Sequence, residues 1–195
     1  MGVRQVRTRR WTRAEYDRLI ALGLLHEDEG VELVGGELVC KEPQAARHAA
    51  AVLLVAEALR RAFGPGWQVR IQMPIALGSD SEPEPDVAVV EGGPGDFFDT
   101  HPTGAALVVE VAISSLGFDR EEKASLYAQS GVPDSWILDV DGRRMEVRRN
   151  PRIDREAPSG WRYGAVRELG PDDQIIPLSA PGAAISVAAM LPGPR

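Results

Sequence analysis

Three side chains have the types and spacing for metal-assisted chemistry on a phosphate. Glu110 interrupts an apolar run, ALVVEVAIS at 106–114, where Leu107, Val108, Val109, Val111 and Ile113 surround it. Such a run reads as a buried strand, and a buried carboxylate needs a partner, a proton or a metal. Asp86 lies 24 residues earlier, at the start of a second apolar strand behind Pro83 and Pro85. Aspartate is disfavoured in strands. Two carboxylates on neighbouring buried strands suit Mg2+ or Mn2+, which prefer carboxylate oxygens and water. Lys123 follows 13 residues after Glu110, in the expected first turn of a helix, where a cation opposes the macrodipole. Of 22 basic residues only Lys41 and Lys123 are lysines, so arginine is this chain's generic cation. A compact ammonium can approach a phosphate oxygen and a water together. Each residue also admits a structural role: Asp86 capping a turn, Glu110 pairing with an arginine, Lys123 pairing with Asp119.

Several elements must hold these groups. TRAEYDRLIALG reads as a helix with a Thr12–Glu15 capping box, a stripe of Tyr16, Leu19 and Ile20, and Gly23 at its end. VELVGGELV reads as a hairpin around Gly35-Gly36. The longest helix spans QAARHAAAVLLVAEALRRAF, with Val52, Val55, Ala56, Leu59 and Phe63 at helical spacing. Strands follow at WQVRIQMPIAL, PDVAVVE and 105–113. A helix over FDREEKASLYAQSGV carries an N-cap box of Asp119 and Glu122, with the cap at Asp119 or one residue to either side, and SWILDV and RRMEVRRN pair across Asp141-Gly142. The tail holds strands at WRYGAVREL and around AAISVAAML. The pattern is one mixed α/β domain over 1–195, with 1–13 as a flexible basic arm carrying Arg4, Arg7, Arg9, Arg10 and Arg13.

Hydrophobic residues make up 44% and charged residues 26%, which fits a globular protein with its own core. No run reaches membrane-span length, the start lacks a signal-peptide core, and one cysteine, Cys40, excludes an internal disulfide. A cytoplasmic location is the expectation. The net charge of −7 argues against a nonspecific nucleic-acid coat. The arginines of RRMEVRRNPRIDR are candidates for a local nucleic-acid surface or for a charged edge hairpin.

PEPDVAVV, followed by LVVEVAISSLGFDREEKASLYAQSGVPDSWILDV, resembles the Uma2 (DUF820-like) family within the PD-(D/E)xK nuclease superfamily, from VELVGGELV to DGRRMEV. The resemblance implies a restriction-endonuclease-like fold, α+β in class, with a central mixed sheet flanked by helices. It implies a Mg2+- or Mn2+-dependent phosphodiesterase acting on nucleic acid, DNA first, as a homodimer. It assigns Asp86 and Glu110 as the acids that hold the metal and Lys123 as the lysine. Ala112 stands where the superfamily's lysine usually stands, two residues after the second acid. Glu32 and His48 match further family positions, and Gln72, between Ile71 and Met73, is another polar neighbour. From the residues alone Glu32 could face solvent, His48 could cap or pack, and Tyr127 reads as core. Two other readings stand beside the nuclease: a noncatalytic binding or scaffold protein keeping the fold, and a metal-dependent hydrolase of another substrate.

Overall fold

The computed structural model describes residues 8–26, 29–41 and 43–193. Arg4 and Arg7 of the basic arm lie outside them. Within them, Trp11 N donates to Gly36 O and Arg13 N to Ser79 O, both at 2.8 Å. The side chains of Arg10 and Arg13 donate to Gly35 O and Gly78 O, and Arg9 pairs with Glu15.

Helix α1 (Arg13–Ala21) starts at the expected capping box, with Thr12 and Glu15 bonding reciprocally. Its buried stripe is narrower than the sequence suggests. Tyr16 is buried and donates to Val31 O, whereas Ile20 is 41% exposed, because only the Tyr16 turn is anchored. Strands β1 (Val31–Val34) and β2 (Glu37–Cys40) form the hairpin. Gly35 and Gly36 take φ of 55° and 80°, the double positive turn that matches strand twist. A Cβ at Gly36 would also strike Arg10.

Helix α2 (Ala46–Phe63) buries all five of its predicted core residues. Six strands make the main sheet: β3 (Trp67–Ile71), β4 (Val87–Glu91), β5 (Leu107–Ala112), β6 (Asp134–Asp139), β7 (Arg144–Ile153) and β8 (Trp161–Leu169), in that spatial order. Only β5 and β6 are parallel. The sheet is mixed because helix α3 (116–129) makes the crossover that two parallel neighbours require. Strand periodicity sorts the faces. Val87, Val89, Leu107, Val109 and Val111 pack with α2, while Ala88 and Val108 pack with α3. Glu110 is in step with Val108, so it points toward α3.

Three boundaries differ from expectation. β3 stops at Ile71 because Gln72 takes φ 49° and Pro74 has no N–H to give a ladder. The tail strand is reduced to β10 (Ile185–Ser186), paired with β9 (Gln174–Ile175). Val187–Met190 is a 3-10 turn, whose three-residue period buries both Val187 and Met190. Helix α3 begins at Leu116, not Asp119. It runs Leu116–Phe118, a π-helical turn over Asp119–Lys123, then Ala124–Gln129.

The arginine run is largely committed inside the protein. Arg143 donates to Pro192 O, Arg144 pairs with Asp139, and Arg148 with Glu146. Arg149 meets Asp134, which is fully buried and also accepts from the Trp136 indole and Leu178 N. Arg152 and Arg155 are exposed. Removing Arg149 strands a buried charge. Arg149→Ala should cost roughly 3 kcal/mol, the low end for a broken buried pair, since 26% of its side chain remains in solvent. Arg152→Ala should stay within about 0.5 kcal/mol. Urea unfolding measures both, and equal losses would remove Asp134–Arg149 as a staple.

Candidate active site

Glu110 is 3% exposed at the α3 end of β5. Its Oε1 accepts from the Tyr127 hydroxyl at 2.6 Å and lies 3.3 Å from Lys123 Nζ. Its Oε2 faces Asp86 N at 3.4 Å. Lys123 Nζ is also 3.0 Å from Glu32 Oε1, and Glu32 Oε2 accepts from Glu84 N at 2.8 Å. Glu32 is therefore buried inside the hairpin and not solvent-facing. The alternation of β1 is too short to signal this, because Leu33 and Val34 beside it are buried too.

Asp86 is held from three directions. Oδ1 accepts from the Gln72 amide at 3.1 Å; Oδ2 accepts from Val111 N at 2.8 Å and sits 3.2 Å from His48 Nε2. The positive φ at Gln72, with Gln72 N bonded to Asp86 O, turns that amide back toward the carboxylate. His48 lies in the first turn of α2 and Nδ1 has no partner among the described residues, so Asp86 is the anchor of the ring. Asp86, Glu110, Lys123, Glu32, His48 and Gln72 thus form one connected cluster from six segments. Tyr127, read from sequence as core, is both core and part of the cluster. Helical spacing placed it one turn after Lys123, but nothing in the sequence marked its hydroxyl as Glu110's donor.

Lys123 is not in a first turn. The earlier start of α3 puts it two turns in, at the end of the π-helical turn, so a macrodipole argument does not apply to it. Asp119 is buried and accepts from Ser115 Oγ at 2.6 Å instead of serving as an N-cap. Lys123 pairs with Glu32 and Glu110. The other lysine, Lys41, has a structural partner, Glu84, at 2.6 Å.

The cluster is short of positive charge. Four buried or nearly buried carboxylates, Glu32, Asp86, Glu110 and Asp119, face one ammonium and one imidazole. Burial pushes Glu110 up to about 8, a rise Lys123 only partly opposes. For Asp86 burial raises the pKa, but the His48 and Val111 hydrogen bonds outweigh it and hold the carboxyl below its usual value. Adjacent carboxyls driven apart in this way are a mark of functional sites. Burial works against the charge on Lys123, yet the Glu110 and Glu32 carboxylates outweigh it and keep the ammonium charged. The bond to Asp86 raises His48. Burial keeps the Tyr127 hydroxyl protonated and hence a donor.

Among the described residues no three His, Cys, Asp or Glu side chains form a ready-made metal cage. A divalent cation here would rest on two carboxylates plus water, the mode Mg2+ favours. The charge deficit and the Oε2 of Glu110 fit such an ion. A groove of about 640 Å3 between the hairpin and α3 is lined by Arg10, Glu37, Phe118 and Glu122 and contains none of the clustered acids or Lys123.

The mixed sheet with α2 on one face and the lysine-bearing α3 on the other is a restriction-endonuclease-like fold. The chain belongs to the Uma2 family, whose model, described as a putative restriction endonuclease, matches residues 13–188. Among solved structures it resembles a putative nuclease belonging to DUF820 from Anabaena variabilis ATCC 29413, with a TM-score of 0.66 at 14% identity, covering 87% of this chain and 94% of that one. No curated protein matches the sequence. No described helix is long and apolar enough to cross a membrane.

The Glu110 shift has a measurable consequence. Its folded value, about 8, stands above the ordinary carboxyl value of 4.5. The stability it contributes is therefore complete below about 4.5 and is lost as pH rises through about 8. In metal-free protein the midpoint of the wild type should fall relative to Glu110→Gln across that window, because glutamine stays neutral. A pH-independent difference between the two melting curves would contradict the assignment.

Proposed function

We propose that this chain is a divalent-cation-dependent nuclease that hydrolyses phosphodiester bonds of nucleic acid, DNA first. The observation that carries the reading is the convergence of Asp86, Glu110 and Lys123, from three separate elements, on one charge-deficient cluster. The family match supports the reaction class. Asp86 and Glu110 would hold Mg2+ or Mn2+, which when bound polarises a phosphate oxygen and acidifies a water.

The protein's own groups have separable tasks. His48, the Gln72 amide and Val111 N fix the Asp86 carboxylate. Glu32 fixes Lys123 from the side opposite Glu110. An ammonium has three N–H bonds. Glu32 Oε1 and Glu110 Oε1 engage two, leaving one for a phosphate oxygen or the attacking water. Lys123 is held charged, so it orients water and balances phosphate charge and does not take the water's proton. Hydrolysis then joins the water oxygen to phosphorus as the bond to the leaving oxygen breaks, the attacking water giving its proton to solvent and the leaving oxygen taking one from solvent. Ala112, at the usual lysine position, favours the scaffold alternative only if Lys123 proves inert. A cytoplasmic homodimer completes the reading, and light scattering of the purified chain tests the dimer.

The test is single-turnover cleavage of plasmid DNA, single-stranded DNA and RNA with Mg2+ or Mn2+. Lys123→Arg keeps a positive charge but replaces a point donor with a larger planar fork. It should lose roughly 10²–10³-fold in rate, the scale of one lost charge-stabilising donor. Asp86→Ala should abolish both cleavage and the rise in thermal midpoint on adding Mn2+. Wild type inert on all three substrates would overturn the nuclease reading in favour of the scaffold. Full activity in Lys123→Arg would remove lysine from the mechanism.

A further inference from the structure

We propose that Tyr127 is a positioning residue. Its hydroxyl fixes Glu110 Oε1 so that Oε2 is the oxygen presented beside Asp86. The inference rests on the metal-site reading above and adds the group that orients one of its carboxylates.

The geometry separates the two Glu110 oxygens. Oε1 takes the Tyr127 hydroxyl at 2.6 Å and faces Lys123 at 3.3 Å. Oε2 has only the long contact to Asp86 N, 3.4 Å, among the described residues. Lys123 alone does not choose between them well. Its ammonium is a point charge on a flexible stem, and it is shared with Glu32 at the shorter distance of 3.0 Å. Tyr127 differs in both respects. Its ring is 1% exposed and packs in the core of the α3 face with Ala88, Val108 and Ala124. A ring locked by packing aims its hydroxyl in one direction. That is the task of an outer partner at a carboxylate ligand: it sets orientation without touching the ion. The residue type supports the same conclusion. Phenylalanine would fill the ring's space equally well, so packing explains the ring and leaves the hydroxyl to be explained by Glu110.

Tyr163 supplies the control. It is another buried tyrosine of the same core, and its hydroxyl donates to Val132 O at 2.9 Å, away from the cluster. Tyr127→Phe and Tyr163→Phe should both lower the metal-free thermal midpoint, since each deletes a buried hydrogen bond. Only Tyr127→Phe should weaken Mn2+ binding by calorimetry, by about 10–100-fold, the scale for losing an outer-shell partner. Its KM for a DNA substrate should be unchanged, and its rate should recover with excess Mn2+. A crystal structure of metal-free Tyr127→Phe reads the positioning directly, with the Glu110 carboxylate expected to turn away from Asp86 N. Unchanged Mn2+ affinity in Tyr127→Phe, an equal loss in Tyr163→Phe, or an unmoved Glu110 overturns the inference while the nuclease reading stands. A wild type that neither binds Mn2+ nor cleaves nucleic acid overturns the reading itself, and the metal-free structure still judges the positioning.

Discussion

The burial of Glu110 is the constraint to which the surrounding structure answers. A carboxylate inside an apolar sheet is tolerable only if its oxygens are met. Strand periodicity sends it to the α3 face, so α3 must deliver donors there. Lys123 and Tyr127, four residues apart on α3, both reach Oε1. The added lysine must itself be neutralised, and Glu32 does so from the hairpin. The hairpin is in turn tied to the following loop through Glu84 N and Ser81 Oγ. One buried acid thus recruits elements distant in sequence.

Buried acids elsewhere in the molecule are treated differently. Asp134 and Glu146 are buried, and each is matched by arginines: Arg149 for the first, Arg120 and Arg148 for the second. Arginine forks satisfy carboxylates completely and leave little for a ligand. The Glu110 cluster uses a lysine, a phenol, backbone N–H groups and an imidazole, and ends with negative charge in excess. The contrast within one chain separates acids closed off by arginine from acids left in a cluster with unmet negative charge.

The sequence made part of this legible. A lone acid in an apolar run, a lysine in an arginine-rich chain and an aspartate behind two prolines each break a local rule. Such breaks mark functional positions. The core face of α2 and the Gly35-Gly36 turn were readable because each depends on neighbours in sequence. Glu32 was ambiguous, since a four-residue strand buried on both sides has no alternation to read. The Tyr127–Glu110 bond is a tertiary contact with no local signature. The start of α3 was misjudged because Asp119 and Glu122 look like a cap box, while tertiary burial turned Asp119 inward. Ile20 has the spacing of a buried residue, but its turn meets no partner surface.

The π-helical turn at Asp119–Lys123 also bears on how this chain can change over evolutionary time. Each residue of an ordinary helix advances the side chains by about 100°. Losing one residue from this wide turn would restore regular winding and swing either Asp119 or the Lys123–Tyr127 pair off its face. The loop joining β4 to β5, at the far end of those strands from Asp86 and Glu110, carries no such phase. Insertions and deletions should therefore accumulate there and be purged between Leu116 and Gln129, making the length of that segment a more stringent inheritance than most of its letters.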